Sequence, residues 1–446
     1  MEMSTDRLSA LPDGILIHIL SFLGFEESAV TSLLSKRWKF IWTELPRLEF
    51  RDHSKGSEKI REFVAKVNRS LLIRSRRIQL EEFNVCFRYD GSFASDVDSW
   101  IDFVLKNKVK KVGLSLRIVE ELYGLPETMY SNSSLTWFSV HGCIMDTLTT
   151  IEWQSLTWLC INDSELSQHV IENILSGCPV LHTLYLEECS GFNCLDVKNI
   201  KSLVSAKIDF HDFWSGLLVE DVGISTTKEL FEIFKDVKEL KLGWEYFKVL
   251  SALVVNGWQL PVSRRKCLTV NSFGGDEHNI SGIFALLKYS PNLERLAIEG
   301  FEPEGLETWD KTATGDLDCD LLHLKTVKIS EFADPTFGGE PMLTVARTLL
   351  KRATVLEEME TWDETAMVDL DYDLLHLKTV KISQFADPTF DGEPMLTVAR
   401  TLLKRAMVLE EMVIRLRVQD ISDHIKIGQT LLNYPRSSGK AVIRLH

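Results

Sequence analysis

The spacing of one apolar triplet constrains this chain more than any other feature. The pattern apolar-x-x-apolar-x-apolar occurs at Val109/Val112/Leu114, Leu135/Phe138/Val140, Leu156/Leu159/Ile161 and Leu181/Leu184/Leu186, and less cleanly at Leu203/Ala206/Ile208. It returns at Val237/Leu240/Leu242, Leu293/Leu296/Ile298, Leu324/Val327/Ile329 and Leu377/Val380/Ile382, and a degenerate member ends in Leu268 and Val270. From Val109 to Val237 successive starts are 26, 21, 25, 22 and 34 residues apart. The last two apolar residues of each triplet lie on one face of a strand. Between triplets run stretches at helical spacing, such as Gln168 to Leu175, where Val170, Ile171, Ile174 and Leu175 recur. No strand–helix unit of this size can bury its own apolar face, so the units must stack. The sequence therefore predicts an α/β chain of short parallel strands plus helices, wound as a curved solenoid. A compact α/β domain is the competing reading, but no glycine-rich phosphate loop accompanies it.

One short strand and one helix every 21–34 residues is the leucine-rich-repeat arrangement. A second, closer repeat lies near the C-terminus. Residues 307–359 and 360–412 align without a gap and differ at seven positions. Shared core patterning does not keep surface residues identical, so this is a tandem copy. Copy one holds ten acids and six bases, and copy two eleven and five. They carry most of the chain's net charge of −15. Each copy has a strand (Leu324 to Ile329; Leu377 to Ile382) and then a helix opening near Glu340-Pro341 or Glu393-Pro394, where proline and an acid are favourable. Copy two ends in a good strand, Leu409 to Ile414, whereas copy one has Glu360 and Thr361 in place of Val413 and Ile414. A damaged second strand and a poorly ordered bulge near 360–372 are expected there.

Residues 6–50 have a different character. Three short helices are predicted. The first is capped by Asp13, carries Ile15, Leu16, Ile19, Leu20 and Leu23, and stops at Gly24. The second runs from about Ser28 and buries Val30, Leu33 and Leu34. The third carries Trp38, Ile41, Trp42 and Leu45. So small a unit cannot hide that much apolar surface, which implies a partner groove.

Leu11-Pro12-Asp13, Ile19-Leu20-Ser21-Phe22-Leu23, Val30-Thr31-Ser32-x-Leu34-Ser35-Lys36-Arg37-Trp38 and Trp42 resemble the F-box of plant F-box proteins. Ser176-Gly177-Cys178-Pro179-Val180-Leu181-x-x-Leu184-x-Leu186-Glu187-Glu188-Cys189 and Ser290-Pro291-Asn292-Leu293-Glu294-x-Leu296 are similar to the leucine-rich repeats that follow such boxes. The stretch from Leu322 to Met359 resembles the FBD domain found at the C-terminus of this family, here present twice. The resemblance implies an F-box at 6–50, repeats at 51–305, FBD-like copies at 306–359 and 360–418, and a cap at 419–446.

It further implies a non-catalytic subunit of a ubiquitin ligase. The box would dock on a Skp-type adaptor, which joins a cullin and a RING subunit, and the repeats would hold a protein substrate. Thioester chemistry would belong to other subunits, this chain raising the effective concentration of a target lysine. Carried over onto this sequence, the docking residues are Leu11, Pro12, Ile15, Leu16, Ile19, Leu20, Leu23, Leu33, Leu34 and Trp38, while Trp42 and Leu45 pack the box onto the first repeats. Leu20→Asp, or Leu11→Ala with Pro12→Ala, is expected to abolish docking and leave the repeats folded. Exposed positions between the strand apolars, such as Cys160, Tyr185 and Lys241, are candidate substrate contacts. The alternatives are a non-ligase repeat scaffold with a vestigial box, and a small-molecule sensor.

Other chemistries find little support. With 50 bases against 65 acids and no basic block, nucleic acid is a poor partner. No apolar run approaches a membrane span, and the charged N-terminus is not a secretory leader. The location expected is intracellular, nucleus and/or cytoplasm. Eight cysteines form no C-x-x-C pair, and the four-residue gap between Cys189 and Cys194 reads as buried thiols. Asp316/Asp318/Asp320 and Asp369/Asp371/Asp373 lack the glycine and closing glutamate of a calcium loop. His141-Gly-Cys143 has no geometry for an activated thiol. No cofactor and no metal are called for.

Overall fold

The computed structural model describes residues 8, 10–75, 77–118, 120–192, 202–209, 221–274, 277–302, 317–332, 339–361, 373–383, 393–415 and 421–445. The chain forms two compact units, Met1–Leu203 and Val204–His446.

In the first unit the predicted triplets fold as β3 (Lys111–Ile118), β5 (Trp137–His141), β7 (Trp158–Asn162) and β9 (Thr183–Glu187). Two further strands precede them, β1 (Arg47–Arg51) and β2 (Glu82–Tyr89), and all six pair in parallel in the order β1-β2-β3-β5-β7-β9. The register sets triplet on triplet: Phe83 pairs Val112, Val112 pairs Phe138, Phe138 pairs Leu159 and Leu159 pairs Leu184. These apolar rows are buried, and alternate residues face outward. Helices α3 (Ser57–Ile73), α4 (Ala94–Lys106) and α5 (Gln168–Gly177) follow β1, β2 and β7. Short strands β4 (Tyr123–Gly124), β6 (Cys143–Met145) and β8 (Glu165–Leu166) form a small ladder of their own.

The missed strands carry the same triplet, as Leu45/Leu48/Phe50 and Leu80/Phe83/Val85, all buried.

The second unit repeats the plan. Strands β10 (Ser205–Asp209), β11 (Glu239–Gly243), β12 (Cys267–Gly274), β13 (Arg295–Glu302), β14 (Thr326–Phe332), β15 (Glu358–Thr361), β16 (Thr379–Ser383), β17 (Glu411–Arg415) and β18 (Val442–Leu445) pair in that order, every pair parallel. The two duplicated helices span Gly339–Arg352 and Glu393–Arg405, and Val345, Leu349 and Ala353 are buried as their spacing predicts.

The second strand of copy one is not damaged. Glu358–Thr361 pairs β14 on one side and β16 on the other, Glu358 with Thr379 and Thr361 with Ile382. Ladder hydrogen bonds are backbone bonds, so Glu360 and Thr361 do not break them. Met359 is buried on the inner row, and Glu358 accepts from Lys381 Nζ at 2.7 Å. The remainder of the expected bulge, 362–372, lies outside the described residues, as does Cys194.

Candidate functional site

The N-terminal box is built on α1 (Asp13–Leu20), α2 (Phe25–Val30), a single 3-10 turn at Thr31–Leu33 and a 3-10 helix at Trp38–Glu44. Its core is one cluster, in which Leu16, Ile17 and Leu20 of α1 meet Trp38, Ile41 and Leu45, with Leu11, Trp42 and Ile78 at its margin. Asp13 does not cap α1. Pro12 is the cap residue, and Asp13 instead pairs with Arg37 at 3.0 Å. Arg37 also donates to the carbonyl of Leu11, so one guanidinium fixes the entry to α1. Helix α2 begins at Phe25 rather than Ser28, because Gly24 starts this helix and Glu27 reaches back to its N–H at 3.1 Å.

The structure divides the expected docking set. Leu16, Leu20 and Trp38 are buried in the box's own core, and Leu11 packs against it. These side chains form the platform of the box. Leu20→Asp would therefore place a charge in that core, and it cannot separate docking from folding. Pro12, Ile15, Ile19, Leu23, Leu33 and Leu34 are exposed, Leu33 by 84%. Val30, Leu33 and Leu34, expected to be buried by the second helix, face solvent instead. The exposed set is larger than the sequence reading: Leu8, Phe22, Val30 and Phe40 join it. Ile15, Ile19 and Leu23 follow one another at four-residue spacing, as one face of α1 and the turn after it.

The box is fastened to the first repeat. Phe25 lies 5.6 Å from Trp42 and 4.5 Å from Phe50 of β1, ring centre to ring centre. Arg74, just past α3, donates to the carbonyls of Thr43 (3.1 Å), Leu45 (2.7 Å) and Ile78 (3.2 Å). Burial lowers the pKa of this guanidinium from its ordinary value, and Glu44 opposes the shift. Lys66 of α3 pairs with Glu26 of α2. Trp42 meets Phe25, which in turn meets Phe50 of β1, while Leu45 belongs to the core of the box.

The other candidates fall on the open faces of the strands. Cys160 pairs Ser139 and Tyr185, Lys241 pairs Lys207 and Thr269, and each is partly exposed. His141 and Cys143 do not share a strand. Gly142, at φ +79°, turns the chain from β5 into β6. His141 Nε2 then sits 3.6 Å from Asp163, and burial pushes the Cys143 thiol up to about 12. Of the acidic turns, Asp318 pairs Lys288 (2.9 Å), Asp320 pairs Arg352 (3.6 Å) and Asp373 pairs Arg405 (3.3 Å). Asp316, Asp369 and Asp371 lie outside the described residues. Among the described residues no three His, Cys, Asp or Glu side chains gather as a metal site, and no helix is long and apolar enough to cross a membrane.

A helical box with an outward apolar face, joined to parallel strand–helix repeats, defines a class of architecture: a small helical module on a repeat scaffold. Comparison with known proteins agrees. Residues 8–50 match the F-box domain family, and residues 97–239 match the leucine-rich repeats of the FBD-associated F-box protein At5g56370. Among relatives from Arabidopsis thaliana, F-box/LRR-repeat protein 25 is 30% identical over 210 residues, 47% of this chain and 78% of the relative. F-box/LRR-repeat protein At3g03360 is 28% identical over 353 residues, 67% of this chain and 71% of the relative. F-box/LRR-repeat protein At5g02910 is 26% identical over 343 residues, 66% and 72%. The chain belongs to the plant F-box/LRR-repeat family.

Proposed function

We propose that this chain is the non-catalytic substrate-recognition subunit of a Skp–cullin–F-box ubiquitin ligase, working in the nucleus and/or cytoplasm. The observation that carries the reading is the split within the box. Leu16, Ile17, Leu20, Trp38, Ile41 and Leu45 already complete a core. Ile15, Ile19, Leu23, Leu33 and Leu34 remain in solvent beside it. Large apolar side chains gathered outside a finished core mark an interaction surface. Each one fully covered by a partner contributes on the order of 1.5–3 kcal/mol. A Skp-type adaptor is the partner, and cullin and RING subunits join through it. The repeats hold a protein target near the transferring subunits, which raises its effective concentration.

The test is capture of the full chain by a recombinant Skp-type adaptor. Retention of the parent chain, and its loss in Ile19→Asp/Leu33→Asp with unchanged circular dichroism, supports the reading. A parent chain that stays unbound, or a double variant that binds as well, overturns it.

A further inference from the structure

We propose that the outer face of β5, β7 and β9 binds a basic, arginine- or lysine-bearing segment of the target; the inference rests on the substrate-recognition reading and names the substrate class.

The face carries aromatic rings that the core does not need. Trp137, Trp158 and Tyr185 occupy outward positions of their strands and are partly exposed. Register aligns Trp137 with Trp158, and their rings stack at 4.5 Å and 7°. Tyr185 meets Trp158 edge-on at 5.8 Å. The rings are held in place by the ladder, so a ligand need not order them. A guanidinium or ammonium group is attracted to such faces, and most strongly to tryptophan.

Acids stand at the far end of the same strands. Asp163 follows β7 and Glu187 ends β9, and the Asp163 N–H donates to the Glu187 carbonyl at 3.0 Å. Asp163 and Glu188 adopt φ of +46° and +50°, at the position that glycine fills after β5. Side chains there are strained, so the chain keeps carboxylates where glycine would be easier. His141, 3.6 Å from Asp163, does not cancel that charge near neutral pH, because burial lowers its pKa from 6.5. Lys111 pairs with Trp137 at the opposite end. Arg117 of β3 lies near His141 and Glu82 of β2 registers with Lys111, so the pull on a cation comes from the carboxylates at the ends of β7 and β9 and runs across Trp158 and Tyr185 toward Asp163 and Glu187.

The test uses the full chain and three fluorescein-labelled octapeptides, of alternating arginine and serine, lysine and serine, or glutamate and serine, read by anisotropy. Saturable binding of a basic peptide is expected, with the glutamate peptide unbound. Trp158→Ala should weaken it about tenfold and Asp163→Asn/Glu187→Gln about fivefold. The second variant removes charge and no packing, so it answers even if the first fails to fold. Equal binding of the glutamate peptide, or unchanged affinity in either folded variant, overturns the proposal. Adaptor capture by the same preparation separates the two readings. Capture without basic-peptide binding removes only this inference, whereas peptide binding without capture removes the ligase role.

Discussion

Ile19 and Leu20 are consecutive residues of one helix, and only Leu20 turns into the core of the box. Leu20 is 0% exposed against Trp38 and Ile41, and Ile19 is 36% exposed. Leu20→Ala empties a packed site and is expected to cost about 2–5 kcal/mol. Ile19→Asp leaves the core cluster intact and should cost about 1 kcal/mol, less than Leu20→Ala, while abolishing adaptor capture. Denaturant unfolding and capture, run on both variants, check the pair. A stable Leu20→Ala chain or an adaptor-competent Ile19→Asp chain contradicts the division of the box.

That division was not legible in the sequence. The run Ile15-Leu16-Ile17-His18-Ile19-Leu20 is apolar almost all round, so periodicity cannot say which side faces in. The decision comes from Trp38 and Ile41 of the 3-10 helix and from Leu45 just past it, some 20 residues on. The repeats were far more legible, because each strand reports its own inner face through alternation. Exceptions there are local. Gly142 splits what reads as one strand into two, and no spacing rule marks it. Leu45 and Leu80 open the same triplet at β1 and β2, so those strands too are written in the sequence.

Arg265 stands where the triplet requires an apolar residue. Its side chain is 1% exposed, and Nε and Nη1 find no partner among the described residues. Corresponding starts such as Val237 and Leu293 are buried and apolar. Burial pulls the Arg265 pKa well below the ordinary guanidinium value, down to about 10. The native pKa is the lower one, so the unfolded chain binds more protons between the two values. The penalty is complete below about pH 10 and shrinks as pH rises through that window. Arg265→Leu should stabilise the second unit by about 1–4 kcal/mol at neutral pH. Urea unfolding at pH 7 and pH 10.5 checks both size and sign. A less stable variant at pH 7 contradicts the account.

Thiol reactivity should follow burial. Cys143 and Cys178 are each pushed up to about 12 by desolvation, and Cys189 is raised as well. Cys86, Cys160, Cys267 and Cys319 are partly exposed. Iodoacetamide at pH 8 should label the second group first, and the first group only in denaturant. Mass spectrometry of tryptic peptides reads the order. Early modification of Cys143 in the native chain contradicts it.

Gly142 and Gly257 separate strain from collision. Both have positive φ, +79° and +84°. A Cβ on Gly142 would stand 1.9 Å from the Leu116 carbonyl oxygen, a backbone atom in the middle of β3, whereas one on Gly257 would meet nothing within 4 Å. Gly257→Ala therefore carries only the left-handed backbone penalty, about 1–2 kcal/mol. Gly142→Ala adds a contact that β3 can relieve only by shifting, for a total on the order of 3 kcal/mol or more. Denaturant unfolding of each variant against the parent chain gives the comparison. Equal losses at the two sites would mean that the turn after β5 has room to move.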